Sequence, residues 1–350
     1  MDVLKPEIVR VHGRPYRFFE SNIWSNQPSA PYQEEYQTEM DDMTSEACED
    51  DSIDIEQIYG GKFRHTLDIP PAFNGLIVGH KGDTKKKLER ETKTNIRVPW
   101  KNSTDLITIT GDTRADVISC RQRIDLLVES SRKKMRPTHF VSIPLKNDEF
   151  IQNYMKFKDR VLADSDFKDA RVVEDFFVNP NKLHLTVGML LLLDEKEMKE
   201  AADVLNECVE RIIKPILKAH KDPLMIKIQG LDYMNDDPTT VSVIYGAVLP
   251  NEKLQEIANK VFGFFLEKQL MRVERTENVK LHMTLINTSK LIAMDQRNRG
   301  QKIYFNAAKM LSAFQDYYFG EMELKSFDIC ERNSCEADGS YKIITRVGLI

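Results

Sequence analysis

The chain has 350 residues, of which 41% are hydrophobic and 30% are charged, and its net charge at pH 7 is −5. This length allows two or three domains, and the composition is that of a soluble globular protein rather than a fibrous or disordered one. The sequence has no apolar run long enough to cross a bilayer and no signal-peptide pattern at its start, so it predicts no membrane partner. Its five cysteines are scattered and odd in number, which is typical of reduced thiols inside a cell.

Charge is distributed unevenly along the chain. Residues 1–61 carry 4 basic and 14 acidic side chains, residues 62–136 carry 17 and 9, and residues 137–350 carry 29 and 32. A basic middle segment that follows an acidic one predicts a nucleic-acid partner for the middle segment alone.

The first 61 residues divide into two parts. Residues 1–20 place apolar side chains on both sides of a His-Gly-Arg-Pro turn at 12–15, which predicts a hairpin of two short strands. Residues 21–61 lose this pattern, and the stretch 33–57 contains 11 acidic residues without any Lys or Arg. This composition predicts a disordered acidic linker.

The basic segment 62–136 has a sharper pattern. Its apolar spacing predicts strand, helix, helix, strand, strand and helix in that order, with a Gly-His-Lys-Gly loop at 79–82 between the first two helices. Asp83 or Thr84 is expected to cap the helix after this loop. The order and the loop resemble a type I KH domain (βααββα), which implies that the segment clamps about four nucleotides of single-stranded RNA, with single-stranded DNA as the alternative.

The resemblance also implies which residues hold the nucleic acid. The two glycines let the backbone approach the sugar–phosphate chain, and the helix start that follows favours the phosphate charge. A KH fold kept only as a protein-binding scaffold is the alternative. Separately, Lys85, Lys86 and Lys87 are equally compatible with a solvated helix face. The implied binding residues are Gly79, His80, Lys81 and Gly82 in the loop, Lys85 on the helix, and Ile77, Ile96 and Val98 in the groove under the bases.

The last segment, 137–350, contains a repeat. The sequence KLHLTV at 182–187 returns as KLHMTL at 280–285. Because successive strand side chains point to opposite faces, the His and Thr of each copy share one face while the apolar residues pack behind. The repeat predicts two half-domains that each deliver an imidazole and a hydroxyl to a shared cleft, although each His-x-Thr taken alone is also compatible with an ordinary half-buried strand.

Two imidazoles and two hydroxyls are the groups that acid–base cleavage of a phosphodiester needs. One of His184 and His282 takes a proton from the attacking oxygen while the other gives a proton to the leaving oxygen, and either can serve in either role. The hydroxyls of Thr186 and Thr284 can hold the non-bridging oxygens, where negative charge grows. This chemistry requires no metal and no cofactor, and the sequence predicts neither.

The duplicated motif resembles the two-histidine (2H), LigT-like phosphoesterase superfamily over 137–350, and within it the A-kinase-anchoring-protein-like branch. The resemblance implies an α+β domain of two lobes related by a pseudo-twofold axis, with catalytic and phosphate-holding roles for the four motif residues. Elsewhere in this segment the periodicity predicts one helix over 194–217 and one strand over 321–331.

The order of hairpin, acidic linker, KH module and two-histidine domain over the whole chain resembles a known family of proteins with this architecture. This resemblance implies a nuclear protein, with the cytoplasm as an alternative, that associates with a helicase-containing complex in transcription coactivation and alkylation-damage repair. Two functions stay open. One is a metal-independent RNA phosphodiesterase whose substrate the KH groove presents. The other is a scaffold subunit whose cleft recognises a nucleotide end and turns over slowly or not at all.

Overall fold

The structure is a computed structural model that describes residues 7–11, 14–18, 53–100, 105–165, 167, 172–219, 222–234, 236–272, 278–288 and 303–349. The chain divides into two compact units, Met1–Met135 and Arg136–Ile350. In the described ranges, none of the helices combines the length and the apolar character that crossing a bilayer requires.

The first unit contains a short hairpin and a four-stranded antiparallel sheet with three helices. The hairpin pairs β1 (Glu7–Val11) with β2 (Arg14–Phe18), inside the segment where the sequence predicts one. The sheet has the strand order β3-β4-β6-β5, and from β4 to α3 the predicted βααββα order is confirmed. The elements are β3 (Glu56–Gln57), β4 (Phe63–Leu67), α1 (Asn74–Val78), α2 (Asp83–Thr92), β5 (Thr94–Arg97), β6 (Ile107–Gly111) and α3 (Arg114–Lys134).

The end of the predicted acidic linker is ordered, which differs from the expectation for 21–61. Ile53 is only 6% exposed, and Glu56–Gln57 adds a strand to β4. The carbonyl of Asp54 accepts a hydrogen bond of 2.6 Å from Nδ1 of His65. Ladder bonds and one buried isoleucine therefore hold a segment that its charge alone predicts to be unstructured. The rest of the linker lies outside the described residues.

The second unit is built on one antiparallel sheet of eight strands, in the order β12-β9-β10-β11-β8-β7-β13-β14. The elements are β7 (His139–Pro144), α4 (Asp148–Ala163), β8 (His184–Leu190), α5 (Glu195–Cys208), α6 (Lys214–Ala219), β9 (Met225–Tyr233), β10 (Val243–Val248), α7 (Glu252–Glu267), β11 (His282–Asn287), α8 (Ala308–Ala313), β12 (Tyr318–Glu323), β13 (Ser326–Glu331) and β14 (Ile343–Gly348).

This sheet has two equivalent halves that meet where β11 pairs with β8. One half repeats the other: β7, α4 and β8 correspond to β10, α7 and β11, and in each case the two strands pair antiparallel with the helix between them in sequence. The predicted two-lobed, pseudo-twofold α+β architecture is confirmed. The two motif strands are the central pair.

The prediction of one strand over 321–331 is wrong. Two strands occupy this region, β12 and β13, and they belong to different halves of the sheet. Only Leu324 and Lys325 connect them, so the end of β12 and the start of β13 are three peptide units apart, a span of at most about 11 Å. The edge strand β12 of one half must therefore come close to β13, which is next to the edge of the other half, so the sheet is curled and has a concave face.

The prediction of one regular helix over 194–217 is also wrong in part. The helix α5 continues into a π-helical turn at Val209–Ile213 before α6 begins. Pro215 lies in the first turn of α6, where it supplies no N–H and its ring displaces the carbonyl four residues earlier. A local widening of the helix accommodates this residue.

Candidate active site and nucleic-acid interface

The register between the central strands brings the two motifs together. Leu185 on β8 pairs with Met283 on β11, and both side chains are fully buried behind the sheet. In an antiparallel pair this register sets Thr186 opposite His282, and His184 opposite Thr284. Opposed residues have Cβ atoms about 4.5–5.5 Å apart, and diagonal neighbours such as the two histidines lie about 7–8 Å apart. The burial pattern of both strands alternates accordingly, so the four polar side chains share the half-buried face.

Both imidazoles are held in the same way by the backbone. Nδ1 of His184 lies 2.6 Å from the carbonyl oxygen of Lys182, and Nδ1 of His282 lies 2.7 Å from that of Lys280. A carbonyl only accepts, so each ring donates its Nδ1–H and in its neutral form carries the lone pair on Nε2. Nε2 of His184 is 3.1 Å from Oγ1 of Thr186.

Aromatic rings from outside the repeat pack against each imidazole. His184 contacts Phe140 and Tyr341, with ring centroids 4.9 and 5.5 Å away. His282 contacts Tyr245 at 5.2 Å, and that tyrosine is only 2% exposed. Such contacts fix the plane of each imidazole, which a catalytic acid or base requires.

The surroundings of His282 favour its neutral form. Burial lowers the pKa of His282 below its ordinary value, and the ammonium of Lys280 lowers it further, while the hydrogen bond to the Lys280 carbonyl acts in the opposite direction. A neutral imidazole is the form that accepts a proton.

A row of polar residues extends from the site across the half of the sheet that contains β8, β7, β13 and β14. Thr186 pairs with Ser142, Ser142 with Asp328, and Asp328 with Arg346. Arg346 donates two hydrogen bonds of 2.7 Å to the Asp328 carboxylate, which is almost fully buried. This bidentate pair joins β13 to β14 and gives the edge of the concave face a fixed geometry.

Sequence reasoning missed several side chains at this site. Tyr245, Tyr341 and Phe140 come from strands or loops outside the repeat and belong to no recognisable sequence motif. Lys182 and Lys280 were visible, since both copies of the repeat begin with lysine, but the periodicity gave them no role.

In the first unit, the loop at 79–82 has positive φ angles at both of its glycines, a conformation that glycine adopts readily. Gly79 and Gly82 have φ values of 71° and 84°, and Lys81 has a φ of 50°. The helix α2 begins at Asp83 with Gly82 as its N-cap and no side-chain capping bond, which corrects the expectation that Asp83 or Thr84 caps it. The amide groups at this helix start are therefore not occupied by a capping side chain.

The other predicted binding residues differ in exposure. His80 and Lys81 are exposed, and Lys85 is half-buried with its Nζ 3.7 Å from Glu89. Ile77 and Ile96 have no exposed surface, so in this structure they belong to the core of the unit and have no surface to offer a base. Val98 is half-buried and is the member of that apolar trio with accessible surface.

The second unit is thus a curled α+β sheet with two His-x-Thr strands side by side at its centre, which is the arrangement of a two-histidine phosphoesterase. Residues 137–349 match the family described as AKAP7 2′5′ RNA ligase-like domain, and residues 64–126 match the KH domain family. The chain therefore belongs to the AKAP7 2′5′ RNA ligase-like domain family, with a KH domain preceding that domain. The resemblances predicted from the two motifs are confirmed.

Two relatives and one solved structure are similar to this chain. Mouse activating signal cointegrator 1 complex subunit 1 is 36% identical, over 97% of this chain and 98% of that protein. Human A-kinase anchor protein 7 isoform gamma is 26% identical, over 61% of this chain and 57% of that protein. The crystal structure of TT0787 of Thermus thermophilus superposes with a TM-score of 0.39 and 16% identity, over 61% of this chain and 97% of that chain. The family matches support RNA binding by the first unit and a phosphoesterase-type site in the second.

Proposed function

We propose that the chain is a nucleic-acid-binding subunit with a metal-independent RNA or nucleotide phosphodiesterase site built from His184, Thr186, His282 and Thr284. The observation that carries the proposal is the pairing of Leu185 with Met283, because this register puts two imidazoles and two hydroxyls on one face of adjacent strands. The proposed domain limits are 62–136 for nucleic-acid binding and 137–350 for catalysis.

In the proposed reaction, His282 acts as the base because its surroundings favour the neutral ring. Its Nε2 takes the proton of a 2′-hydroxyl as that oxygen attacks the adjacent phosphorus. The bond from phosphorus to the 5′-oxygen breaks, and this oxygen takes a proton from Nε2 of His184. The products are a 2′,3′-cyclic phosphate and a 5′-hydroxyl. Holding the nucleophile next to the phosphate lowers the barrier by several kcal/mol, on the order of 7–11 at best.

The backbone carbonyls of Lys182 and Lys280 support both roles. Each keeps a proton on Nδ1, so that Nε2 is the nitrogen that exchanges protons with the substrate. When a ring becomes an imidazolium, the same bond becomes charge-assisted and stronger. The hydroxyls of Thr186 and Thr284 donate to the non-bridging oxygens, an interaction worth on the order of 10²–10³ in rate for one well-placed donor.

We propose that the KH domain supplies the substrate as single-stranded RNA held at the loop 79–82, and that single-stranded DNA binds there with similar affinity. The mouse relative is by name a subunit of the activating signal cointegrator 1 complex. Its similarity over the full chain supports the proposal that this chain joins the same helicase-containing complex in the nucleus, where it takes part in transcription coactivation and alkylation-damage repair.

The test is a turnover assay on short RNA and DNA oligonucleotides with the full chain. His184→Ala and His282→Ala are each expected to lower the rate about 100- to 10,000-fold. Chelator is expected to leave the rate unchanged, and a single 2′-deoxy sugar at the scissile position to abolish cleavage. A 2′,5′-linked substrate, in which the 3′-hydroxyl is the nucleophile, is assayed alongside the 3′,5′-linked one. The faster of the two identifies the preferred linkage.

Three results would contradict the proposal. Activity that disappears with chelator and returns with Mg²⁺ excludes the metal-independent mechanism. Equal cleavage of ribo and deoxy substrates makes water the nucleophile. Tight binding of oligonucleotides without any turnover by the wild type, unchanged in the double histidine variant, assigns the chain to the scaffold class.

A further inference from the structure

A lysine stands two residues before each of the paired histidines. Its backbone carbonyl holds the imidazole, as described for Lys182 and Lys280. Its side chain takes part in a second arrangement, which is also duplicated and which exchanges no proton with the substrate in the proposed reaction.

Each lysine ammonium lies over the tyrosine ring that contacts the neighbouring histidine. Nζ of Lys182 is 4.5 Å from the ring centroid of Tyr341, and Nζ of Lys280 is 5.1 Å from that of Tyr245. Such a contact directs a long, flexible side chain. It also leaves the positive charge in place, because a ring carries no opposite charge to cancel it.

Neither of these ammonium groups forms an ion pair with a carboxylate among the residues that the structure describes. Lys182 donates one hydrogen bond of 2.8 Å to the carbonyl of Ser334, and an ammonium has three N–H groups. The arrangement therefore presents positive charge and donors on both sides of the histidine and threonine quartet.

Each lysine lines the same pocket as its histidine. Lys182 and Lys146 line a small pocket of about 20 Å³ beside His184 and Tyr341, and Asp328, which is paired with Arg346, lines it as well. Lys280 lines the pocket that holds His282 and Thr186. Since a scissile phosphate belongs between the two imidazoles, the two lysines lie on opposite sides of that position, where the neighbouring parts of the substrate strand would pass.

We infer that the two Lys–Tyr pairs bind the phosphates that flank the scissile phosphodiester, so that the site selects oligonucleotides with a phosphate on each side of the cleaved linkage. This inference rests on the proposed function and names its substrate class. A charge-assisted contact between an ammonium and a phosphate in a partly exposed pocket is expected to be worth about tenfold in kcat/KM.

The experiment compares four short ribonucleotide substrates with the full chain: ApA, pApA, ApAp and pApAp. The readout is the ratio of kcat/KM between each phosphorylated substrate and ApA, which cancels any general change in the chemical step. The variants are Lys182→Met and Lys280→Met, which keep an apolar stem over the ring. The matched control is Lys227→Met, because Nζ of Lys227 lies 5.5 Å from the ring centroid of Tyr318 and no histidine is part of that contact.

We expect pApAp to exceed ApA about 100-fold in the wild type and in the Lys227 control, as two tenfold contributions. Each lysine variant should lose about tenfold of this ratio, and each should lose it for the phosphate at one end only. A wild-type ratio near one overturns the inference. So does a lysine variant that slows ApA and pApAp equally, because that lysine then acts on the scissile phosphate.

Binding of the corresponding 2′-deoxy oligonucleotides, which internal attack cannot cleave, separates this inference from the proposed reaction. If no substrate is cut, the phosphodiesterase proposal fails, while the affinity ratio between pApAp and ApA in deoxy form still reports on the lysines. If ApA is cut but this affinity ratio is near one in the wild type and both variants, the flanking-phosphate inference alone fails.

Discussion

Replacing Gly79 by alanine should distinguish a nucleic-acid clamp from a scaffold role for the first unit. Gly79 has φ 71° and ψ −178°, a region that is essentially restricted to glycine and costs other residues about 1–3 kcal/mol. A Cβ atom there would also lie 2.2 Å from Oγ1 and 2.9 Å from the backbone nitrogen of Thr84, so the loop or the start of α2 must move. Together these effects should destabilise the observed loop by about 3 kcal/mol, which corresponds to roughly 100-fold weaker binding of single-stranded RNA.

Gly82→Ala is the matched control. Gly82 has φ 84° and ψ 12°, in the left-handed region that costs an alanine about 1–2 kcal/mol. A Cβ at this position meets only the Cε atom of Lys86, at 4.0 Å. The control should therefore lose less, about 5- to 30-fold in affinity.

The assay is fluorescence anisotropy with a labelled single-stranded RNA at one fixed salt concentration, using the full chain. Thermal unfolding of each variant, followed by circular dichroism, checks that the first unit remains folded. Wild-type affinity in a folded Gly79→Ala variant would show that the loop 79–82 is not the clamp. Equal losses in both glycine variants would show that the contact with Thr84 has no part in shaping it.

Three further results are expected. Lys280→Gln removes a charge that lowers the pKa of His282, so the acidic limb of the rate–pH profile should move to higher pH, whereas Lys280→Arg should leave it in place. Burial lowers the pKa of His65 below 6.5. Its contribution to stability is therefore fully present above pH 6.5 and is lost as the pH falls through the folded-state pKa. The difference in melting temperature between the wild type and His65→Phe should shrink as the pH falls below 6.5. Tyr245→Phe removes the hydrogen bond donated to the exposed Asp232 and should lower the free energy of unfolding by about 1 kcal/mol in urea denaturation, with the ring contact to His282 retained.

Much of the fold was predictable because local patterns agree with the tertiary structure. The alternation of the two KLH repeats is reproduced by the burial of β8 and β11, and the order of elements from β4 to α3 follows the apolar spacing. The errors come from local signals that were too weak to decide the element. In the stretch 321–331 the apolar positions change phase between Leu324 and Phe327. This phase change indicates a break, but it does not tell that the two strands belong to different halves of the sheet.

The candidate site was predictable in its repeated part only. The sequence repeat indicates which side chains of the duplicated strands share a face, and it therefore identified His184 and His282 with their threonines. It gives no information on side chains that contact these strands from other parts of the chain, such as Tyr245 from β10 or Tyr341 before β14. The register that makes the two motifs adjacent, Leu185 with Met283, is a long-range contact that sequence pattern alone leaves open.

The duplication also raises a chemical problem that the non-repeated residues resolve. Acid–base catalysis with two histidines needs one neutral and one protonated ring at the same pH, so two identical surroundings would work poorly. The repeat gives both imidazoles the same sequence neighbours and the same Nδ1 bond to a lysine carbonyl. Two sets of contacts differ: Nε2 of His184 lies 3.1 Å from Oγ1 of Thr186, and the rings are Phe140 and Tyr341 at one imidazole but the deeply buried Tyr245 at the other. Assignment of base and acid therefore depends on positions outside the motif, and exchanging the motif strands between the halves should leave the base on the Tyr245 side.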